Sequence, residues 1–149
     1  MSGKGQSYAQ IIQKSIIVNA KPLKVWQALV DPELMSLWML DSEITIETDW
    51  RVGSPIIIRG DLHNTPFENK GFVLAFEPQQ LLVYSHLSSL SALPDIEENY
   101  SIIKFSLAPS ADQTIVTLTL GNFPTEVICK HFDFYWNFTL VMFKNIVEQ

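Results

Sequence analysis

The 149-residue chain is 47% hydrophobic and 17% charged, a balance that suits one folded domain with a substantial core and excludes wholesale disorder. Its formal net charge is −6, and its acidic residues are scattered. No basic patch is available for phosphate, so nucleic acid is not an expected partner. A single cysteine, Cys129, permits neither an internal disulfide nor a thiolate metal cluster.

Residues 1–10 form a polar lead-in without the apolar run of a signal peptide, and residues 11–149 read as one domain. No apolar run reaches the ~18 residues of a membrane span, so no span is expected and the cytoplasm is the default location. Ile11 to Val18 is rich in β-branched residues and predicts a strand. Leu23, Val25, Trp26, Leu29 and Val30 then repeat at helical spacing. Asp31-Pro32-Glu33 starts a second short helix: the aspartate can cap free amides, proline suits the first helical position, and glutamate favours the positive helix end.

Asp41 to Asp49 alternates, with Glu43, Thr45 and Glu47 on one face and Ile44, Ile46 and Thr48 on the other, as in a half-buried strand. A break at Gly53 to Pro55 precedes a strand over Ile56 to Gly60, and Asp61 to Lys70 reads as a loop. Gly71 to Glu77 and Gln80 to Leu87 are expected strands around a turn at Pro78-Gln79. A loop covers Ser88 to Glu98, and Asn99 to Leu107 and Gln113 to Gly121 form a last hairpin about Pro109 to Asp112. Seven strands with short connections imply an antiparallel sheet.

From Thr125 to Glu148 there is no proline or glycine, which predicts one long helix. Lys130, Asp133, Asn137, Lys144 and Glu148 mark a narrow polar stripe, and most of the remaining circumference is apolar. A helix so apolar must be covered on most sides, and a strongly bent sheet wrapped around it does this most simply.

The segment Val25 to Trp38, which reads VWQALVDPELMSLW, resembles the signature of the SRPBCC superfamily. More narrowly, it is similar to the family homologous to the activator of heat-shock protein 90 ATPase. Arg51-Val52-Gly53, Gly71-Phe72-Val73, Pro78 to Tyr84, and Trp136 with Leu140 follow in matching order, so the resemblance covers nearly the whole chain from Ile11. Ser54 stands where a second glycine is common, and His86 where an aromatic is common. The resemblance implies an α+β helix-grip fold of order β-αα-β6-α, a curved seven-stranded antiparallel sheet around a long C-terminal helix. It also implies a hydrophobic cavity between sheet and helix.

Among candidate chemistries, His63, His86 and His131 show no metal-ligand spacing, and no zinc is expected. Cys129 and His131 lie two apart on a helix and point about 200° away from one another, so the thiol reads as inert. Gly53 is isolated, so no phosphate-cradling loop and no nucleotide cofactor are expected. Glu97-Glu98 reads as a solvated pair rather than an acid–base couple.

Leu82, Tyr84 and His86 share one face by period two, assigned to the interior in the register of the family. Tyr84 and His86 then place polar tips in an apolar cavity, where they orient a ligand or satisfy one another. Trp38, Phe105, Leu118, Phe132, Trp136, Leu140 and Phe143 are the other residues expected around it, with plain core packing the alternative for each. Phe134 and Phe138 flank the polar stripe of the long helix and, if exposed, suit self-association.

The leading reading is non-catalytic binding of an apolar or amphipathic small molecule, without metal or organic cofactor. A protein-interaction module, linked to a chaperone as the family name suggests, is the alternative. A cyclase- or hydratase-like enzyme using Tyr84 or His86 as acid or base is the third.

Overall fold

The computed structural model describes residues 10–40 and 42–149. All but Gln10 of the expected polar lead-in, and Asp41 at the head of the expected second strand, lie outside the described residues.

The first strand, β1 (Ile12–Val18), ends where the chain turns into α1 (Pro22–Val30). Pro22 opens α1 at a position where no amide donor is needed. Asp31 both closes α1 and caps α2 (Pro32–Trp38): its carboxylate accepts from the Glu33 amide at 3.0 Å. Two indoles tie this helical pair down, Trp38 Nε1 donating to the Ala28 carbonyl at 2.9 Å and Trp50 Nε1 to the Val30 carbonyl at 2.7 Å.

The remaining strands are β2 (Ile44–Glu47), β3 (Pro55–Leu62), β4 (Thr65–Glu77), β5 (Leu81–Ser88), β6 (Ser101–Ser110) and β7 (Gln113–Gly121). They form one sheet of order β1-β7-β6-β5-β4-β3-β2, with every neighbouring pair antiparallel. The long helix α3 (Glu126–Val147) follows, its first turn capped by the Thr125 hydroxyl, which accepts from the Ile128 amide at 3.1 Å. This is the helix-grip arrangement that the sequence implied.

Two local readings need correction. Asp61 to Lys70 is not a loop: β3 and β4 extend through it and meet at a two-residue turn, His63-Asn64. Both turn residues have positive φ (52° and 68°), the geometry that matches the twist of a tight hairpin. Pro66 is tolerated because the Glu68 amide donates to Ser89 Oγ on the β5 side. Period two then turns the Pro66 nitrogen away from β3, so its missing donor breaks no bond with that strand. The β6–β7 turn likewise is confined to Ala111-Asp112, with Pro109 and Ser110 paired in the ladder.

Curvature has a visible cause. The β4–β5 register shifts between Val73 and Ala75, a bulge that bends the strand. Beside it, a Cβ on Gly71 would lie 1.6 Å from the Ser85 carbonyl oxygen, so only glycine permits this approach. At the preceding turn Gly53 has a φ of 91°, whereas Ser54 is not in the left-handed region and needs no glycine.

α3 crosses the concave side of the sheet. Its Lys144 donates to the Ile17 carbonyl at 2.7 Å, and its Glu148 accepts from the Asn19 amide at 2.7 Å, which fastens the end of the helix to β1. Lys14 of β1 donates to both Asp133 and Asn137 on the polar stripe.

Candidate functional site

Residues that face the concave side along β5 and β6 change character in matched rows. Leu82 lies opposite Phe105, Tyr84 opposite Ile103, and His86 opposite Ser101. Beyond His86, Ser88 lies opposite Asn69 of β4. The face thus runs from large and apolar to small and polar, and α3 closes against its apolar end. Over the polar end a cavity of about 410 Å³ remains between sheet and helix, within the range of small-molecule sites.

Its sheet wall is formed by Ile58, Phe67, Asn69, Tyr84, His86 and Ile103, and its helix wall by Ile128, His131, Phe132 and Tyr135. Trp136 closes one end; Leu90 and Ser91, in a short 3-10 turn after β5, lie at the other. The Tyr135 hydroxyl donates to the Met39 carbonyl, joining α3 to the segment after α2 beside the cavity.

Of the residues singled out in the sequence, Tyr84, His86, Phe132 and Trp136 come together on the cavity wall. Trp38, Phe105, Leu118, Leu140 and Phe143 are buried in the core outside the lining. Among them, Trp38 meets Trp136 at a ring-centroid distance of 6.2 Å and Phe105 meets it at 5.6 Å, while Phe143 stands edge-on to Trp38 at 5.0 Å. Asn69 and Ser101 also line the cavity and were not singled out. Asn69 fell in the expected loop. Ser101 had a legible signal, since it shares the period-two face of Ile103 and Phe105.

Electrostatics favour neutral side chains here. Burial pushes the His86 imidazole down to about 4, with His131 adding to the effect, so His86 is uncharged near neutral pH. The half-buried His86 ring stands edge-on to Phe132 at 5.3 Å. Burial holds the Tyr84 phenol well above its ordinary range and pushes Tyr135 up to about 12. Cys129 is buried, its thiol pushed up by that burial. Phenols, a neutral imidazole and amide groups can orient a ligand by hydrogen bonds.

A bent antiparallel sheet gripping a long helix defines the helix-grip class of folds. The family model described as "Activator of Hsp90 ATPase homolog 1-like protein" matches residues 19–148, and the chain belongs to that family. The chain is similar to a protein of Cytophaga hutchinsonii solved in solution, at 36% identity over 93% of this chain and 94% of that one, with a TM-score of 0.78. It also shares its fold with a crystal structure from Chromobacterium violaceum (18% identity, 94% and 99% covered, TM-score 0.79). The solution structure of the Aha1 dimer from Colwellia psychrerythraea has the same fold (22% identity, 93% and 96% covered, TM-score 0.70). No curated protein matches the chain. No helix among the described residues is long and apolar enough to cross a membrane.

Proposed function

We propose that the chain binds an apolar or amphipathic small molecule between its sheet and α3. The observation that carries this reading is the cavity of about 410 Å³, walled by aliphatic and aromatic groups with Tyr84 and His86 set among them. Phe132 and Trp136 would bury the ligand's apolar surface, and Tyr84 and His86 would orient its polar end. Trp38, Phe105, Leu118, Leu140 and Phe143 would support that wall from behind. The test compares native and denaturing mass spectra of freshly purified protein. The expected result is a non-covalent added mass that denaturation releases. Clean apo protein, together with no thermal shift from any apolar compound in a panel, would count against the reading.

A second reading, self-association, rests on the outer face of α3. Phe134 is 79% exposed and Phe138 64%, and Val141 extends the stripe. A contiguous exposed apolar stripe suits a protein partner, and the Colwellia relative is described as a dimer. Sedimentation velocity should show a dimer that a Phe134→Glu, Phe138→Glu double variant abolishes. A wild type that stays monomeric at high concentration would sink this reading.

A further inference from the structure

The cavity's polar groups have a definite pattern. Among the described residues that line it, none is Asp, Glu, Lys or Arg, so none of them carries a fixed full charge. The titratable groups around it are Tyr84, His86, Tyr135 and, exposed on α3, His131. Tyr135 already donates to the Met39 carbonyl. Tyr84 and Ser101 are each only 2% exposed, and neither hydroxyl hydrogen-bonds to any described residue. Asn69 Oδ1 is buried and also lacks a partner. Tyr84 and Ser101 can each donate or accept, Asn69 Oδ1 can only accept, and a neutral His86 offers one donor and one acceptor.

These groups lie close together in the sheet register. Ser101 is directly opposite His86, with Tyr84 two residues along the same strand face, and Asn69 lies opposite the next residue on that face, Ser88. Directly opposed residues stand about 5 Å apart. A ligand entering this end therefore meets donors and acceptors in one small region, with no charged side chain among the described lining residues to meet an ion.

Resting on the ligand-binding reading above, we propose that the cavity selects an uncharged ligand whose buried end carries a hydroxyl-type group, one that both donates and accepts hydrogen bonds. A carboxylate or ammonium at that end loses its hydration without a counter-charge, a cost that exceeds anything the neutral dipoles return. A plain hydrocarbon displaces water from the polar groups and leaves them unpaired. The neutral hydroxyl avoids both losses.

The test titrates the folded protein near neutral pH with naphthalene, 2-naphthol, 2-naphthoate and 2-naphthylmethylammonium, following amide shifts by NMR. The expected order places 2-naphthol about tenfold tighter than naphthalene, with the two ions weaker than naphthalene. In Tyr84→Phe and Ser101→Ala variants the naphthol advantage should shrink from both sides, naphthol binding more weakly and naphthalene more tightly because fewer polar groups are left unpaired. Unchanged amide shifts away from the cavity in the free variants would show that the fold is intact. Equal affinities for all four, or a preference for either ion, would overturn the selection and leave the binding reading standing. Absence of binding by all four would overturn both.

Discussion

From Trp136 to Val147, α3 lies on a solid layer that includes Trp38, Phe105 and Leu118; from Val127 to Tyr135, the same helix spans an open cavity. The helix is apolar along both halves, so its own composition does not decide which half encloses space. What faces it does. On β6 the concave residues run Ser101, Ile103, Phe105, and on β5 they run His86, Tyr84, Leu82, each row gaining bulk or losing polarity toward the closed end. The α1–α2 pair adds Trp38 at the closed end alone, against Trp136 and Phe143. Packing density and an internal cavity are thus set by a gradient of side-chain size along strands that share one backbone curvature.

The largest expected effect sharpens this contrast. Phe143 is fully buried at the closed end, so Phe143→Ala should cost about 3–5 kcal/mol in urea unfolding. Ile128→Ala, on the cavity wall, should cost under about 1.5 kcal/mol, because it borders space already present. Equal losses at the two sites would break the comparison.

Next comes acidity at the open end. Burial lowers the folded-state His86 value from 6.5 to about 4, so between those pH values the unfolded chain binds more protons than the folded one. Stability therefore rises with pH across that window, and the contribution of neutral His86 is lost as pH falls from 6.5 toward 4. After allowance for solvent reaching the half-buried ring, the loss should be about 2 kcal/mol. His86→Phe should flatten that part of the pH–stability curve, and an unchanged slope would show that the imidazole is not responsible.

Added bulk should give smaller effects of unequal size at the two ends. Leu118→Phe, at a fully buried closed-end position, should cost about 1–3 kcal/mol, while Ile58→Phe should cost under about 1 kcal/mol by growing into the cavity. Smallest of all, Phe134→Ala on the exposed face of α3 should stay within about 0.5 kcal/mol in the same urea assay.

The frame of the fold was legible because its signals are local. The limits of β7 match the alternation of Gln113 to Gly121, and the Asp31-Pro32-Glu33 cap forms as its chemistry dictates. The β3–β4 hairpin was not legible, because Asn64 and Pro66 are loop-forming residues in isolation. Their place in a ladder depends on which strand lies on which side, which is a tertiary fact. The site divides the same way. Period two on β5 points to Tyr84 and His86, and the same rule on β6 would have reached Ser101. Asn69 was hidden by the misread hairpin. The split of the large aromatics between core and cavity wall depends on packing volume, which no single position encodes.

The long-range pairing of β1 also bears on how the chain comes off the ribosome. Ile12 pairs with Leu120 and Val18 with Thr114, so the isoleucine-rich first strand gains its sheet neighbour among the described residues after about a hundred further residues have been made. Until then it is a sticky segment in search of a partner. When α3 arrives, Lys144 and Glu148 take up the Ile17 carbonyl and the Asn19 amide, blunting the edge to which a stray strand could add. The last turns of the chain guard its first strand, and a protein truncated before Lys144 should aggregate during synthesis even where its core could still form.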